Sequence, residues 1–130
     1  MKISLSEGTW DKSTTDIVAV AVPSGKTKLS RALGRIEVVT GKGSIKPLAS
    51  DERFAGKASE TLKVAAAGKA KSRWLLLVGI GEETDVQKIA WNMGHALASA
   101  ARARKSAAVE LPAVTPEAVR AVSHGLVAGA

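Results

Sequence analysis

Short apolar runs punctuate the chain at Ile3 to Leu5, Ile17 to Val22, Leu62 to Ala65, Trp74 to Ile80 and Ala107 to Leu111, and each has the length of a β-strand. Two of them are apolar at every position. Ile17-Val18-Ala19-Val20-Ala21-Val22 and Trp74-Leu75-Leu76-Leu77-Val78 lack the in-and-out alternation of a half-exposed strand, so both of their faces should be covered. Helices are therefore expected on both sides of a sheet.

The clearest helical pattern follows Gly81. Thr84 can cap it, Gln87 follows three residues later as in a capping box, and Val86, Ile89, Ala90, Met93, Leu97 and Ala100 recur at helical spacing. Lys88 and His95 fall on the opposite face. A last helix starts with Thr115 as cap and Pro116 at its first position, with Val114 able to staple onto Val119; Val119, Val122 and Leu126 form its apolar stripe. A shorter helix is read from Lys28 to Leu33, stopping at Gly34. Between residues 35 and 58, Pro47 and the glycines at 41, 43 and 56 break any long element.

From Trp74 onward the order strand, helix, strand, helix predicts neighbouring parallel strands joined by a right-handed crossover. The fold class that follows is α/β, a three-layer α/β/α sandwich with a mixed, largely parallel sheet. At 130 residues the chain has the size of a single domain, 1–130. Its close, Gly125-Leu126-Val127-Ala128-Gly129-Ala130, is apolar and lacks a clear cap, which suggests that the natural polypeptide continues or that this end docks onto a partner.

Composition narrows the chemistry. Phe54, Trp10, Trp74 and Trp91 are the only aromatic residues, so aliphatic side chains must fill the core, and a nucleic-acid surface of stacked rings is disfavoured. The absence of cysteine removes disulfides, thiolate nucleophiles and cysteine-based zinc sites. The start, Met1-Lys2-Ile3-Ser4-Leu5-Ser6, turns polar too early for a signal peptide, and no run approaches the ~20 apolar residues of a membrane span. No membrane association and a cytoplasmic location are expected. A net charge of +7 invites a DNA partner, but residues 1–65 carry 11 basic and 7 acidic side chains and residues 66–130 carry 8 and 5, so neither half holds the excess. Lys69, Lys71 and Arg73 read as a solvated loop before a strand.

The candidate ligand-binding turn is Gly79-Ile80-Gly81, because glycine turns at helix amino termini can cradle phosphate with backbone amides. Thr84 stands where the dinucleotide motif has its third glycine, and no Walker lysine pattern is present. Glu82 and Glu83 sit where an anion would bind; carboxylates there favour the helix dipole by ~0.3–1 kcal/mol each and repel phosphate. His95 and His124 lack a second ligand at metal spacing, and no nucleophile elbow surrounds a serine. Asp51-Glu52 and Glu82-Glu83 read as loop charge, and Asp16 and Glu110 as isolated carboxylates at strands. No catalytic or metal-ligating residue is assigned.

Four segments in order carry a resemblance: Asp16 to Val22 ending in Pro23; Phe54-Ala55-Gly56-Lys57-Ala58-Ser59-Glu60-Thr61-Leu62; Leu75-Leu76-Leu77-Val78-Gly79-Ile80-Gly81; and Val119 to Ala128 around Gly125-Leu126. Together they resemble the amino-terminal domain of the leucyl (cytosol) aminopeptidase family, over nearly the whole chain. The resemblance implies a non-catalytic domain serving assembly or substrate access. Two divalent metal ions, Zn or Mn, a catalytic lysine and a bicarbonate-binding arginine would belong to a carboxy-terminal peptidase domain. Its motif, resembling Asn-Thr-Asp-Ala-Glu-Gly-Arg, does not occur here, so no cofactor is expected in this chain. The implied partners are that peptidase domain and the other copies of a homo-hexamer. The family domain also looks like the macro domain, which makes a module binding an ADP-ribose-like ligand, or DNA, the alternative expectation; fold likeness does not by itself transfer a ligand.

Overall fold

The computed structural model describes residues 2–8, 10–102 and 104–129. Met1 and Ala130, the outermost positions of the start and close read above, lie outside the described residues. Every apolar run is a strand: β1 (Lys2–Ser6), β2 (Ile17–Pro23), β3 (Thr61–Ala65), β4 (Trp74–Gly81) and β5 (Ser106–Glu110). The helices are α1 (Lys26–Thr40), α2 (Lys46–Asp51), α3 (Val86–Ala100) and α4 (Pro116–Gly129), with a short 3-10 turn at Trp10–Lys12.

The strands form one sheet in the order β1-β5-β2-β4-β3, and all pairs are parallel except β3 with β4. The two all-apolar strands occupy central positions, where each sheet face needs cover. Val18, Val20, Val22, Leu75 and Leu77 face Ala32, Leu33 and Ile36 of α1 and Ala49 of α2. Ile17, Ala19, Leu76 and Val78 turn the other way onto Ile89, Met93 and Leu97 of α3 and Val122 of α4. Burying each such aliphatic side chain contributes ~1.5–3 kcal/mol, which is why two aliphatic cores suffice without many aromatics. The edge strand β3 alternates, with Leu62 and Val64 buried and Thr61, Lys63 and Ala65 exposed. The result is the expected three-layer α/β/α sandwich.

The crossover differs from the simple expectation. β4 and β5 are not neighbours, because β2 lies between them and α3 carries the chain across it. A second difference is α1, which runs through Gly34 to Thr40. Ile36 and Val39 continue past the glycine the inward stripe of Leu29, Ala32 and Leu33, and burial of that stripe outweighs the ~1 kcal/mol a helical glycine costs. Glu37 then accepts the amides of Ile45 and Lys46, both at 2.9 Å, and fixes the step into α2.

Asp85, one residue after the expected Thr84, caps α3: its Oδ1 accepts from Gln87 N at 2.9 Å and Lys88 N at 3.3 Å. Thr115 does cap α4, accepting from Ala118 N at 3.1 Å. Val119 is 41% exposed instead of buried, because α4 meets α3 through Ala118, Val122 and Gly125. A Cβ on Gly125 would lie 2.1 Å from the Trp91 carbonyl oxygen, and one on Gly94 would lie 2.2 Å from that of Val122. The two helix backbones touch where both lack side chains, and this closeness turns Val119 outward.

Gly125→Ala should therefore push the helices apart and destabilise the protein by about 1–3 kcal/mol. At Gly34 the nearest atom to an added Cβ is Lys46 Nζ at 3.7 Å. Gly34→Ala should stabilise by about 0.5–1 kcal/mol. Urea unfolding midpoints of the two variants should move in opposite directions, and equal midpoints would contradict the close-contact account.

Candidate functional site

In an open parallel sheet, ligand sites form beyond the carboxyl ends of strands, in the crevice where the following connections leave toward opposite faces. Here β2 leads into α1 on one face, while β4 and β5 lead into α3 and α4 on the other. Since β2 lies between β4 and β5, there are crevices on both of its sides.

The β2/β4 crevice is filled by the chain itself. Residues 54–60 cross the strand ends with Phe54 buried as an anchor. Gly79 N donates to Glu60 O at 2.7 Å, Gly81 N donates to Gly56 O at 2.8 Å, and Ser24 N donates to Gly81 O at 3.0 Å. A Cβ on Gly79 would lie 2.1 Å from the Lys57 carbonyl oxygen, and one on Gly56 would lie 2.3 Å from that of Pro23. Gly56 has φ 75° and Gly81 φ 62°, both in the left-handed region that favours glycine. Glu60 completes the crossing by accepting from Ala55 N at 3.1 Å and Lys57 N at 2.9 Å through one carboxylate oxygen.

Of the candidate turn Gly79-Ile80-Gly81, both glycine amides are thus spent on backbone carbonyls. Outside it lies a shallow depression lined by Ile80, Gly81, Glu82, Glu83, Thr84 and Asn92, where the carboxylates leave little for a phosphate. Lys69, Lys71 and Arg73 are exposed in the loop between β3 and β4, as read from the sequence.

The histidines are both exposed, and His95 stacks on Trp91 with ring centroids 5.1 Å apart. Among the described residues no three of His, Asp and Glu gather as a metal site would require. The carboxylates explain why. Glu7 accepts Val114 N at 2.6 Å, Asp16 accepts Lys105 N at 2.8 Å, and Glu83 accepts Asp85 N at 3.1 Å. With Glu37, Glu60 and Asp85, they satisfy amides that the loops and helix starts leave open. Asp16 is therefore not isolated, and this donor set does not fit a two-metal centre.

The β2/β5 crevice is only partly covered, by the 3-10 turn at Trp10–Lys12, which touches both strands. A cavity of about 210 Å³ lies there, lined by Trp10, Val20, Ala32, Arg35, Ile36 and Glu110 among others. Glu110, read from the sequence as a lone carboxylate, accepts from Trp10 N at 3.0 Å through Oε2 and shares the cavity with Arg35. Burial pushes its carboxyl above the ordinary value, helped by the charge of Asp11 and opposed by the Trp10 amide and Arg35. Sequence reading missed this grouping because Trp10, Arg35 and Glu110 come from three distant segments; the polar residue closing an otherwise apolar strand was the available signal.

A carboxyl raised in the folded state favours folding below its ordinary value of 4.5 and loses that contribution as pH rises through the raised value. Gln at this position can still accept the Trp10 amide. Glu110→Gln should therefore gain stability relative to the parent as pH is raised from below 4 to 7, measured as the difference in urea midpoints. A gap moving in the parent's favour over that range would contradict the burial argument.

Comparison with known proteins follows the same architecture. The family model described as "Cytosol aminopeptidase family, N-terminal domain" matches residues 17–130. A protein of Alkaliphilus oremlandii (strain OhILAs), named "Probable cytosol aminopeptidase", is 27% identical over 88 residues, covering 68% of this chain and 17% of its own length. A mutant of tomato leucine aminopeptidase has a similar fold, with a TM-score of 0.67 and 17% identity over 99% of this chain and 28% of that one. The bottromycin maturation enzyme BotP follows at a TM-score of 0.57 and 17% identity, over 88% of this chain and 23% of its own. This chain thus spans under a third of the length of each of these proteins.

Proposed function

The chain belongs to the cytosol aminopeptidase family as its N-terminal domain, and on that premise we propose that it is the non-catalytic part of a metal-dependent leucyl aminopeptidase. Release of amino-terminal residues from peptides is then the work of a carboxy-terminal peptidase domain, with two divalent ions, Zn or Mn, in that domain. The 130 residues serve assembly or substrate access, as part of a cytoplasmic homo-hexamer.

The observation that carries this reading is the family match across residues 17–130. The use of the carboxylates supports it: those at the strand and helix ends are committed to backbone amides and are not arranged around a substrate. A role in assembly draws on the outer surface of the α3/α4 layer, where Trp91, Val119 and Val127 are exposed at 38%, 41% and 78%. Large apolar side chains held in water on ordered helices are suited to contact with another protein surface. Among the described residues no helix is long and apolar enough to cross a membrane. The ADP-ribose and DNA alternative gains no support, since the glycine amides are occupied and the family match points elsewhere.

The isolated chain, incubated with leucyl p-nitroanilide and manganese or zinc, should give no turnover above a blank of metal and substrate. Fused to the peptidase domain of a family member that is itself inactive alone, it should raise activity or assembly. Turnover by the isolated chain, or a fusion no different from the bare peptidase domain in both respects, would overturn the proposal.

A further inference from the structure

The crevices flanking β2 differ in one respect that matters for ligands: residues 54–60 plug the β2/β4 side, whereas on the β2/β5 side the 3-10 turn at Trp10–Lys12 packs against both strands and leaves a cavity beside it. The cavity combines features that select one kind of molecule. Its walls include the apolar Trp10, Val20, Ala32 and Ile36. Glu110 and Arg35 put opposite charges on the same small space, yet the one ion pair within 4.0 Å among the described residues is Arg120 with Glu117, elsewhere on the surface. Glu110, which accepts Trp10 N–H through Oε2, lines the cavity.

A phosphate or nucleotide is disfavoured by Glu110 with the charge of Asp11 near it, and a plain cation by Arg35. The volume of about 210 Å³ is also below the ~300–1,000 Å³ typical of pockets for drug-sized ligands. A small zwitterion satisfies both charges at once. We propose that this cavity binds a free α-amino acid with an apolar side chain, its ammonium on Glu110, its carboxylate on the Arg35 guanidinium, and its side chain against Val20, Ala32, Ile36 and Trp10. Arg is suited to the carboxylate because its planar fork can donate two parallel hydrogen bonds. Under the aminopeptidase reading such a molecule is the released product, so the domain would carry a product-sensing site; the binding itself does not depend on that reading.

Calorimetry and the NMR shift of the Trp10 amide, recorded on the 130-residue chain, test this without any turnover. L-leucine should bind with Kd on the order of 1 mM or tighter. Leucinamide, which lacks the carboxylate, and isocaproate, which lacks the ammonium, should each bind at least about tenfold more weakly. Glu110→Gln and Arg35→Met should each weaken leucine by a similar factor, and Arg35→Met should leave the leucinamide affinity unchanged. Arg35 is exposed, so its variant tests binding without disturbing the core. The idea is overturned if leucine gives neither heat nor a Trp10 shift at about 10 mM, if leucinamide or isocaproate binds as well as leucine, or if either substitution leaves leucine affinity intact.

Discussion

Everything at the carboxyl end of the sheet depends on the backbone crossing of residues 54–60 over the ends of β2 and β4. It is made by glycine against carbonyl: Gly79 beneath Lys57, and Gly56 beneath Pro23, each too close for a Cβ. The amides of Gly79 and Gly81, which would otherwise be open at the end of β4, donate across the crossing. The same segment delivers the chain to β3, which must run antiparallel because it starts at the end where β4 finishes. A turn that resembles a phosphate cradle in sequence is thus a clamp in structure.

The other constraint is the shortage of large side chains. With few aromatics, close packing comes from bringing backbones together, as at Gly94 and Gly125 between α3 and α4. Loops in turn are held by carboxylates accepting amides: Glu37 ties α1 to α2, Asp16 holds Lys105, and Glu7 holds Val114 across more than a hundred residues of chain. At Glu37 desolvation alone would raise the carboxyl, but hydrogen bonds from Lys46, Ile45 and Gly43 outweigh it and hold it below the usual range.

Glu110 departs from that pattern. Besides accepting the Trp10 amide it is pushed up by burial and lines a cavity together with Arg35. Opposite charges here line one concave space.

The strands, the covering of β2 and β4 on both faces, and the starts of α3 and α4 to within a residue were all legible in the amino-acid order. Apolar periodicity and capping residues act over a few neighbouring positions, and so did the order of segments that marked the family. The length of α1 beyond Gly34 was legible only in part, since a glycine stops a helix when the stripe beyond it is exposed and not when the stripe is buried. What the tertiary structure alone decided was the partner of each polar group. Glu110 stood alone in the sequence, and the amides of Gly79 and Gly81 looked free there. Whether a carboxylate meets an amide, a guanidinium or water depends on contacts between segments tens of residues apart, and no local pattern records those contacts.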